Sequence, residues 1–166
     1  LLQAIGEECA SMLHASTFHS ACVRILRRSI SKLGYDSNFT IYDTDDSQRL
    51  MKSCIADADV SEKQFPPRAV LTEISLAKDR MCSPEYFCIE AGSDYRKMVI
   101  GKLYKEYQNR LKSANALDFD DLIYKTVELL ESFPEELEYY QNRFRYIMVD
   151  EYQDTNNAQF RLVQLL

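Results

Sequence analysis

The chain has 166 residues, 46% of them hydrophobic, so it can bury a core and form one domain or somewhat more. Its formal net charge of −6 argues mildly against nucleic-acid binding, because proteins that bind DNA or RNA are usually basic. The five cysteines are widely spread without a Cys-x-x-Cys pair, which favours reduced thiols in a cytoplasmic protein over a disulfide or zinc framework. The apolar runs are too short to span a membrane, and we expect no signal segment.

The first third of the chain predicts a strand followed by an amphipathic helix. The chain starts without a methionine on residues 1–6, whose pattern is that of a helix already under way, so we expect a piece of a longer protein. Residues 12–18 predict a short strand, and residues 19–33 carry apolar side chains at helical spacing. Gly34 is a helix stop.

The opposite face of this helix carries the densest basic cluster of an acidic chain, formed by Arg24, Arg27, Arg28 and Lys32. Such a cluster is either a solvated helix face or a surface that contacts phosphate groups. The sequence leaves both interpretations open.

A succession of helices is predicted next. The expected starts are marked by turn, capping or proline residues, namely Asp43 to Ser47, Pro66-Pro67, Ser83-Pro84, Asp94, Asp118 and Glu135. The helix at Asp118 has a capping-box partner in Asp121 and an apolar stripe formed by Phe119, Ile123, Val127 and Leu130. No internal repeat interrupts the order, so short strand-bearing pieces flank a helical block.

The organising stretch lies near the end of the chain. Residues 146–149 are apolar and rich in strand formers, and they lead directly into Asp150 and Glu151. Ligands of open α/β sheets bind beyond the carboxyl ends of strands, so a carboxylate pair at that point faces a site. Asp150 can position Mg²⁺ and Glu151 can orient or deprotonate water, as nucleoside-triphosphate hydrolysis requires. The alternative is an exposed strand end, after which Asn156 caps a helix with Phe160 and Val163 on its apolar stripe.

The string from Asp150 to Asn156 resembles the Walker B element, motif II, of the UvrD/Rep/PcrA-type superfamily 1 DNA helicases. Residues 17–20 and 117–123 resemble motifs that precede motif II in this family, in the same order. The resemblance covers nearly the whole chain.

The resemblance implies a mainly α fold with a few short strands. A helical domain, 1B, would be inserted into an incomplete RecA-like α/β domain of the P-loop NTPase type, 1A. Residues 1–20 would belong to 1A, residues 21–142 to 1B, and residues 143–166 to 1A with the Walker B strand.

The resemblance also implies an ATP-dependent DNA helicase that couples hydrolysis of Mg-ATP to translocation on single-stranded DNA and to duplex unwinding. Glu151 would be catalytic, Asp150 would hold the metal, and Gln153 would join both in binding the cofactor. ATP and Mg²⁺ would be the cofactors of the full-length protein. Single-stranded and duplex DNA would be its partners.

The resemblance assigns DNA contact to the segment Thr17, Phe18, His19 and Ser20, to which the nearby Arg24, Arg27 and Arg28 can add charge. Hydroxyl and imidazole groups can bond phosphate oxygens, and an aromatic ring can stack on a base. The alternative is a helix cap with a satisfied histidine. Residues 117–123 have two possible interpretations: their acids cap a helix, or the segment communicates between the DNA and nucleotide sites. Under neither interpretation are these acids catalytic.

Triphosphate binding in this fold needs a loop of the pattern G-x-x-x-x-G-K-[ST]. The chain's one Gly-Lys pair, Gly101-Lys102, is followed by Leu103, and Arg96 stands where the first glycine belongs. We therefore expect the chain alone to be inactive. Two other functions stay open: a non-catalytic DNA- or protein-docking module, and a helicase-like nuclease subunit.

Overall fold

The computed structural model describes residues 15–166, and these are mainly helical, as expected. The helices are α1 Phe18–Ser29, α2 Thr44–Asp57, α3 Pro67–Asp79, α4 Pro84–Ala91, α5 Tyr95–Ser113, α6 Phe119–Ser132, α7 Pro134–Arg143 and α8 Asn157–Leu165. Short 3₁₀ helices span Ile30–Leu33 and Tyr152–Asp154, and the strands are β1 Thr40–Ile41 and β2 Ala116–Leu117. Among these residues, no helix is long and apolar enough to cross a membrane.

Capping side chains set the helix starts, which confirms the predicted positions. Asp43, Asp118 and Asn156 each accept a hydrogen bond from the backbone N–H three residues on. In each case the residue at that third position bonds back to the backbone of the cap, which completes a capping box. Gly34 follows the first 3₁₀ helix in the left-handed conformation, as a stop signal should.

The core consists of two hydrophobic clusters. The middle cluster is built from α2 to α5 and includes Met51, Ile55, Val70, Ile74, Ile100, Leu103, Tyr107 and Leu111. The terminal cluster joins α1 with α6, α7 and α8 and includes Ile25, Leu26, Ile30, Leu122, Val127, Leu130, Tyr140 and Leu162. Helices from both ends of the described chain therefore share one cluster.

The strands lie where the chain enters and leaves the middle cluster. They pair in parallel, with Thr40 opposite Ala116 and Ile41 opposite Leu117. The Tyr42 N–H donates to the Leu117 carbonyl at 2.8 Å, which extends the pairing by one bond. The segment carrying α2 to α5 is thus closed at its base.

A buried ion cluster joins the two hydrophobic clusters. Lys78, at the end of α3, is 1% exposed, and its Nζ lies 2.7 Å from Asp118 Oδ2 and 2.9 Å from Asp121 Oδ1. The Tyr107 hydroxyl donates to Asp118 Oδ2 at 3.0 Å, and Gln108 Nε2 donates to Asp121 Oδ1 at 3.1 Å. One ammonium from the middle cluster therefore holds two carboxylates at the start of α6.

The charges of this cluster depend on one another. Burial alone would lower the pKa of Lys78, but the carboxylates of Asp118 and Asp121 raise it above its ordinary value. Burial opposes ionisation of Asp118, yet Lys78 holds the pKa of that carboxyl below its usual range. Burial and the charge of Asp118 raise the pKa of Asp121 to about 6. Since both acids share one lysine, protonation of one changes the pKa of the other.

The predicted strand before Asp150 is wrong for this structure. Residues 145–149 form no strand, and Tyr146 and Met148 are 94% and 91% exposed. An extended apolar segment becomes a strand only when a neighbouring strand satisfies its backbone groups, and within residues 15–166 the only strands that pair are β1 and β2.

Three further expectations need correction. Of the predicted strand at residues 12–18, residues 12–14 lie outside the described residues, 15–17 form no strand, and Phe18 already begins α1. Phe119 was expected on the buried stripe of α6 but is 54% exposed, because it is the first residue of the helix and the inward-facing residues follow it. Phe160 is 40% exposed, since the residues of α8 that enter the core are Ala158 and Leu162.

The ion cluster predicts an unequal response to the loss of two lysines. Lys78→Met leaves two buried carboxylates without their cation, which should lower the free energy of unfolding by about 3–5 kcal/mol. Lys52→Met is the matched control, because its exposed ammonium lies 3.7 Å from Glu62 and such pairs contribute about 0–1 kcal/mol. Urea unfolding at pH 7 measures both, and equal losses would contradict the assigned role.

The same variant has a predicted pH dependence. Asp121 has a raised pKa, so it is ionised above about pH 6 and becomes protonated below it. Lys78 lowers the pKa of both acids, so without it the carboxyls take up protons at a higher pH than in the wild type, and their repulsion weakens as the pH falls. The stability difference between wild type and Lys78→Met should shrink as the pH falls from 8 to 5.

Candidate nucleotide and DNA site

The segment predicted to contact DNA forms the start of α1. Thr17 is the N-cap, its Oγ1 accepting from the Ser20 N–H at 3.2 Å and donating to Ser20 Oγ at 3.0 Å. Thr17 and Ser20 are exposed, and Phe18 and His19 are partly exposed. Thr17 therefore caps α1, and the residues that carry the two hydroxyls, Thr17 and Ser20, are still exposed to solvent.

His19 brings two of the motifs together. Its ring lies edge-on against Phe119, with centroids 5.7 Å apart and planes at 64°. Phe119 begins α6 between Asp118 and Asp121, which are held by Lys78. Two segments far apart in sequence thus form one partly exposed aromatic contact, and one of its rings directly follows Asp118 of the buried ion cluster in sequence.

The basic face of α1 is largely engaged within the chain. Arg27 donates to the Ser37 carbonyl at 2.6 Å and lies 3.9 Å from the centroid of the Phe39 ring. Lys32 lies 3.2 Å from Glu136 Oε1, and Arg28 lies 3.6 Å from Glu136 Oε2.

Glu136 is a specific anchor for these charges. Burial raises its pKa, but a 2.7 Å hydrogen bond from the Ser29 hydroxyl and the nearby Lys32 outweigh burial, and the pKa of Glu136 stays below its usual range. Much of the basic cluster therefore fastens α7 to α1.

A shallow cleft of about 190 Å³ lies between α1 and α7. Its lining combines basic and aromatic side chains, chiefly Arg24, Arg28, Tyr139, Tyr140, Arg143 and Phe144. Arg28 Cζ lies 3.6 Å from the Tyr139 centroid, and the rings of Tyr140 and Phe144 stack at 5.8 Å. Arg24 reaches Ser16 Oγ at 2.8 Å, next to the segment that begins α1. Cationic and aromatic groups in this combination suit a nucleic-acid strand.

The carboxylate pair lies in solvent. Asp150 and Glu151 are both exposed, and the Glu151 N–H donates to Asp150 Oδ1 at 3.0 Å. Glu151 has φ 50° and ψ 43°, a left-handed conformation that is unusual for a residue other than glycine, asparagine or aspartate. Gln153 is exposed in the following 3₁₀ helix.

These residues can contribute to a magnesium site but do not complete one. Within residues 15–166, no group of three or more His, Cys, Asp or Glu side chains gathers to hold a metal ion. Mg²⁺ bound to a nucleotide keeps water and phosphate ligands and needs only one or two carboxylates from the protein. The exposed Asp150 fits that requirement.

The Gly101-Lys102 pair lies inside α5, which confirms that it is not a phosphate-binding loop. A Cβ placed on Gly101 would meet Cys88 Sγ at 2.7 Å. This glycine therefore serves the close packing of α4 against α5.

Asn156 links the carboxylate segment to the end of α3. Its Oδ1 caps α8, and its Nδ2 donates to Asp79 Oδ1 at 2.7 Å.

The sequence patterns did not single out Asp79 and Lys78. A usable signal was present, because Lys78 continues the apolar stripe of Val70 and Ile74 and so lies where a charged residue needs a buried partner.

The chain matches the family "UvrD/REP helicase N-terminal domain" over residues 1–166, and it belongs to that family. It is 48% identical over 162 residues to an ATP-dependent DNA helicase PcrA of Staphylococcus epidermidis. The match covers 98% of this chain and 22% of that protein. An ATP-dependent DNA helicase PcrA of Staphylococcus aureus is 46% identical over 162 residues, and the match again covers 98% of this chain and 22% of that protein. The chain thus spans about a fifth of the length of these curated relatives.

Proposed function

We propose that this chain is part of an ATP-dependent DNA helicase and contributes the Walker B carboxylates and part of the DNA-binding surface. The observation that carries the proposal is the exposed Asp150-Glu151 pair, followed by the string up to Asn156, in a chain of the UvrD/REP family. The relatives are named as ATP-dependent DNA helicases, which supports the same activity here.

In the proposed reaction, Glu151 accepts a proton from the water that attacks the terminal phosphorus of ATP. The bond between that phosphorus and the bridging oxygen breaks, and ADP leaves with the oxygen. Asp150 would hold Mg²⁺, and Gln153 would contribute to nucleotide binding. When bound, the magnesium ion would supply charge neutralisation. Other parts of the protein must supply the phosphate loop, since the one Gly-Lys pair of this chain is packed within α5.

We also propose that the helical segment is a 1B domain inserted into a RecA-like 1A domain. The motif resemblance puts the ends of this insertion near residues 20 and 143. The two hydrophobic clusters support a narrower insertion, from β1 to β2, because α1, α6 and α7 share their cluster with α8.

The cleft between α1 and α7 supports DNA binding by the same chain. Among the basic residues of α1, Arg24 and Arg28 line the cleft, whereas Arg27 is held against Phe39. Thr17, Phe18, His19 and Ser20 lie at the start of the same helix. We propose that single-stranded DNA contacts this surface through phosphate groups and stacked bases.

The isolated chain should neither bind nor hydrolyse ATP, because it lacks the loop whose backbone cradles the phosphates. Isothermal titration with Mg-ATP measures this directly. Micromolar affinity would contradict the expectation, and so would a turnover that Glu151→Gln abolishes.

In the full-length protein, Glu151→Gln should keep nucleotide binding and reduce hydrolysis by about 10²–10⁴-fold, the usual contribution of a general base. Glu138→Gln is a matched control on the exposed side of α7 and should leave the rate unchanged. Steady-state phosphate release measures both. Near-normal hydrolysis in Glu151→Gln would rule out the proposed role of this residue.

DNA binding should depend on the lining of the cleft. Each neutralised phosphate contributes about −0.7 to −0.9 to the slope of log K against log salt. Arg24→Ala with Arg28→Ala should therefore flatten the slope by about 1.4–1.8 units, if each contacts one phosphate. Arg27→Ala should change it little, because Arg27 does not line the cleft. Fluorescence anisotropy of a labelled oligonucleotide at several salt concentrations gives these slopes, and equal slopes in all proteins would show that the cluster does not contact phosphate.

A further inference from the structure

We propose that Asn156 is a positioning residue that fixes the carboxylate segment, residues 150–154, relative to the DNA-facing contact of His19 with Phe119. The connection runs through the end of α3. The inference rests on the proposed function, since it concerns how DNA binding and ATP hydrolysis are coupled.

The first step is the double role of the Asn156 side chain. Its Oδ1 accepts from the Gln159 N–H at 2.8 Å, which caps α8, and its Nδ2 donates to Asp79 Oδ1 at 2.7 Å. A cap needs only the acceptor, which serine or aspartate also supplies. The amide donor is therefore the feature that capping does not explain.

The second step is the environment of Asp79. It is the last residue of α3, and its pKa is raised by partial burial and by the charge of Asp120. A carboxylate in such a place gains from a hydrogen-bond donor. Asn156 provides that donor from the segment that follows Glu151.

The third step leads from Asp79 to the DNA-facing surface. Its neighbour Lys78 holds Asp118 and Asp121, and Phe119 lies between those acids. The Phe119 ring contacts His19 at the start of α1. A chain of contacts, formed by one hydrogen bond, one helix end, one ion cluster and one aromatic pair, thus connects the two proposed sites.

The test exchanges the two side chains of the hydrogen bond. In the full-length protein, Asn156→Asp places a carboxylate against Asp79 while keeping the cap of α8. The double variant Asn156→Asp with Asp79→Asn restores one donor and one acceptor. The measured quantity is the ratio of ATP hydrolysis rates with and without a single-stranded oligonucleotide.

Asn156→Asp should lower this ratio by about 5–150-fold, the range typical of coupling between sites, through the DNA-stimulated kcat. Hydrolysis without DNA also depends on the placement of Glu151, so it should fall too, but by less than hydrolysis with DNA. The double variant should recover most of the stimulation, and the melting temperature of each variant shows whether a change in stability accounts for its ratio. Asn156→Ser, which keeps a cap and lacks the donor, should give an intermediate ratio.

Two outcomes would overturn the inference: stimulation at the wild-type level in Asn156→Asp, or no recovery in the double variant when both proteins melt at the wild-type temperature. These differ from failure of the proposed function. If the wild-type protein hydrolyses no ATP or ignores DNA, the helicase assignment fails, and the inference fails with it.

Discussion

The buried ammonium of Lys78 between Asp118 and Asp121 is the interaction on which the rest of the described structure depends. Removing three charges from water is costly, and only close pairing with further hydrogen bonds offsets that cost. Here the tyrosine hydroxyl of α5 and the glutamine amide beside it supply those bonds. Because the lysine comes from the middle cluster and the acids from the terminal cluster, the ion cluster fixes how the two cores meet.

This arrangement explains why one motif can be structural and still matter for function. Asp118 and Asp121 cap α6 and bind Lys78, so their carboxylates are committed to the fold. Phe119, between them, turns outward and carries the contact with His19. The acids hold a backbone from which an aromatic side chain is presented to the surface proposed for DNA.

The sequence predicted what local chemistry determines. Capping boxes at Asp43, Asp118 and Asn156 place helix starts, and the stripe of Val70, Ile74 and Ala77 defines the buried side of α3. Contacts between distant residues were not predictable in the same way. The partners of Lys78 lie 40 or more residues away, and the apolar stretch before Asp150 resembles a strand although no described strand pairs with it. For the site, the motifs gave the residues, whereas the link from Asn156 to Asp79 required the structure.

The central claim is that one ion cluster makes the two hydrophobic clusters a single cooperative unit. Native-state hydrogen exchange tests it most directly, because it gives the opening free energy of each helix separately. In the wild-type chain, the slowest amides of α5 and α6 should open with the same free energy. In Lys78→Met the slowest amides of α5 and α6 should open with different free energies. Equal opening energies in the variant, at an unchanged value, would contradict the account.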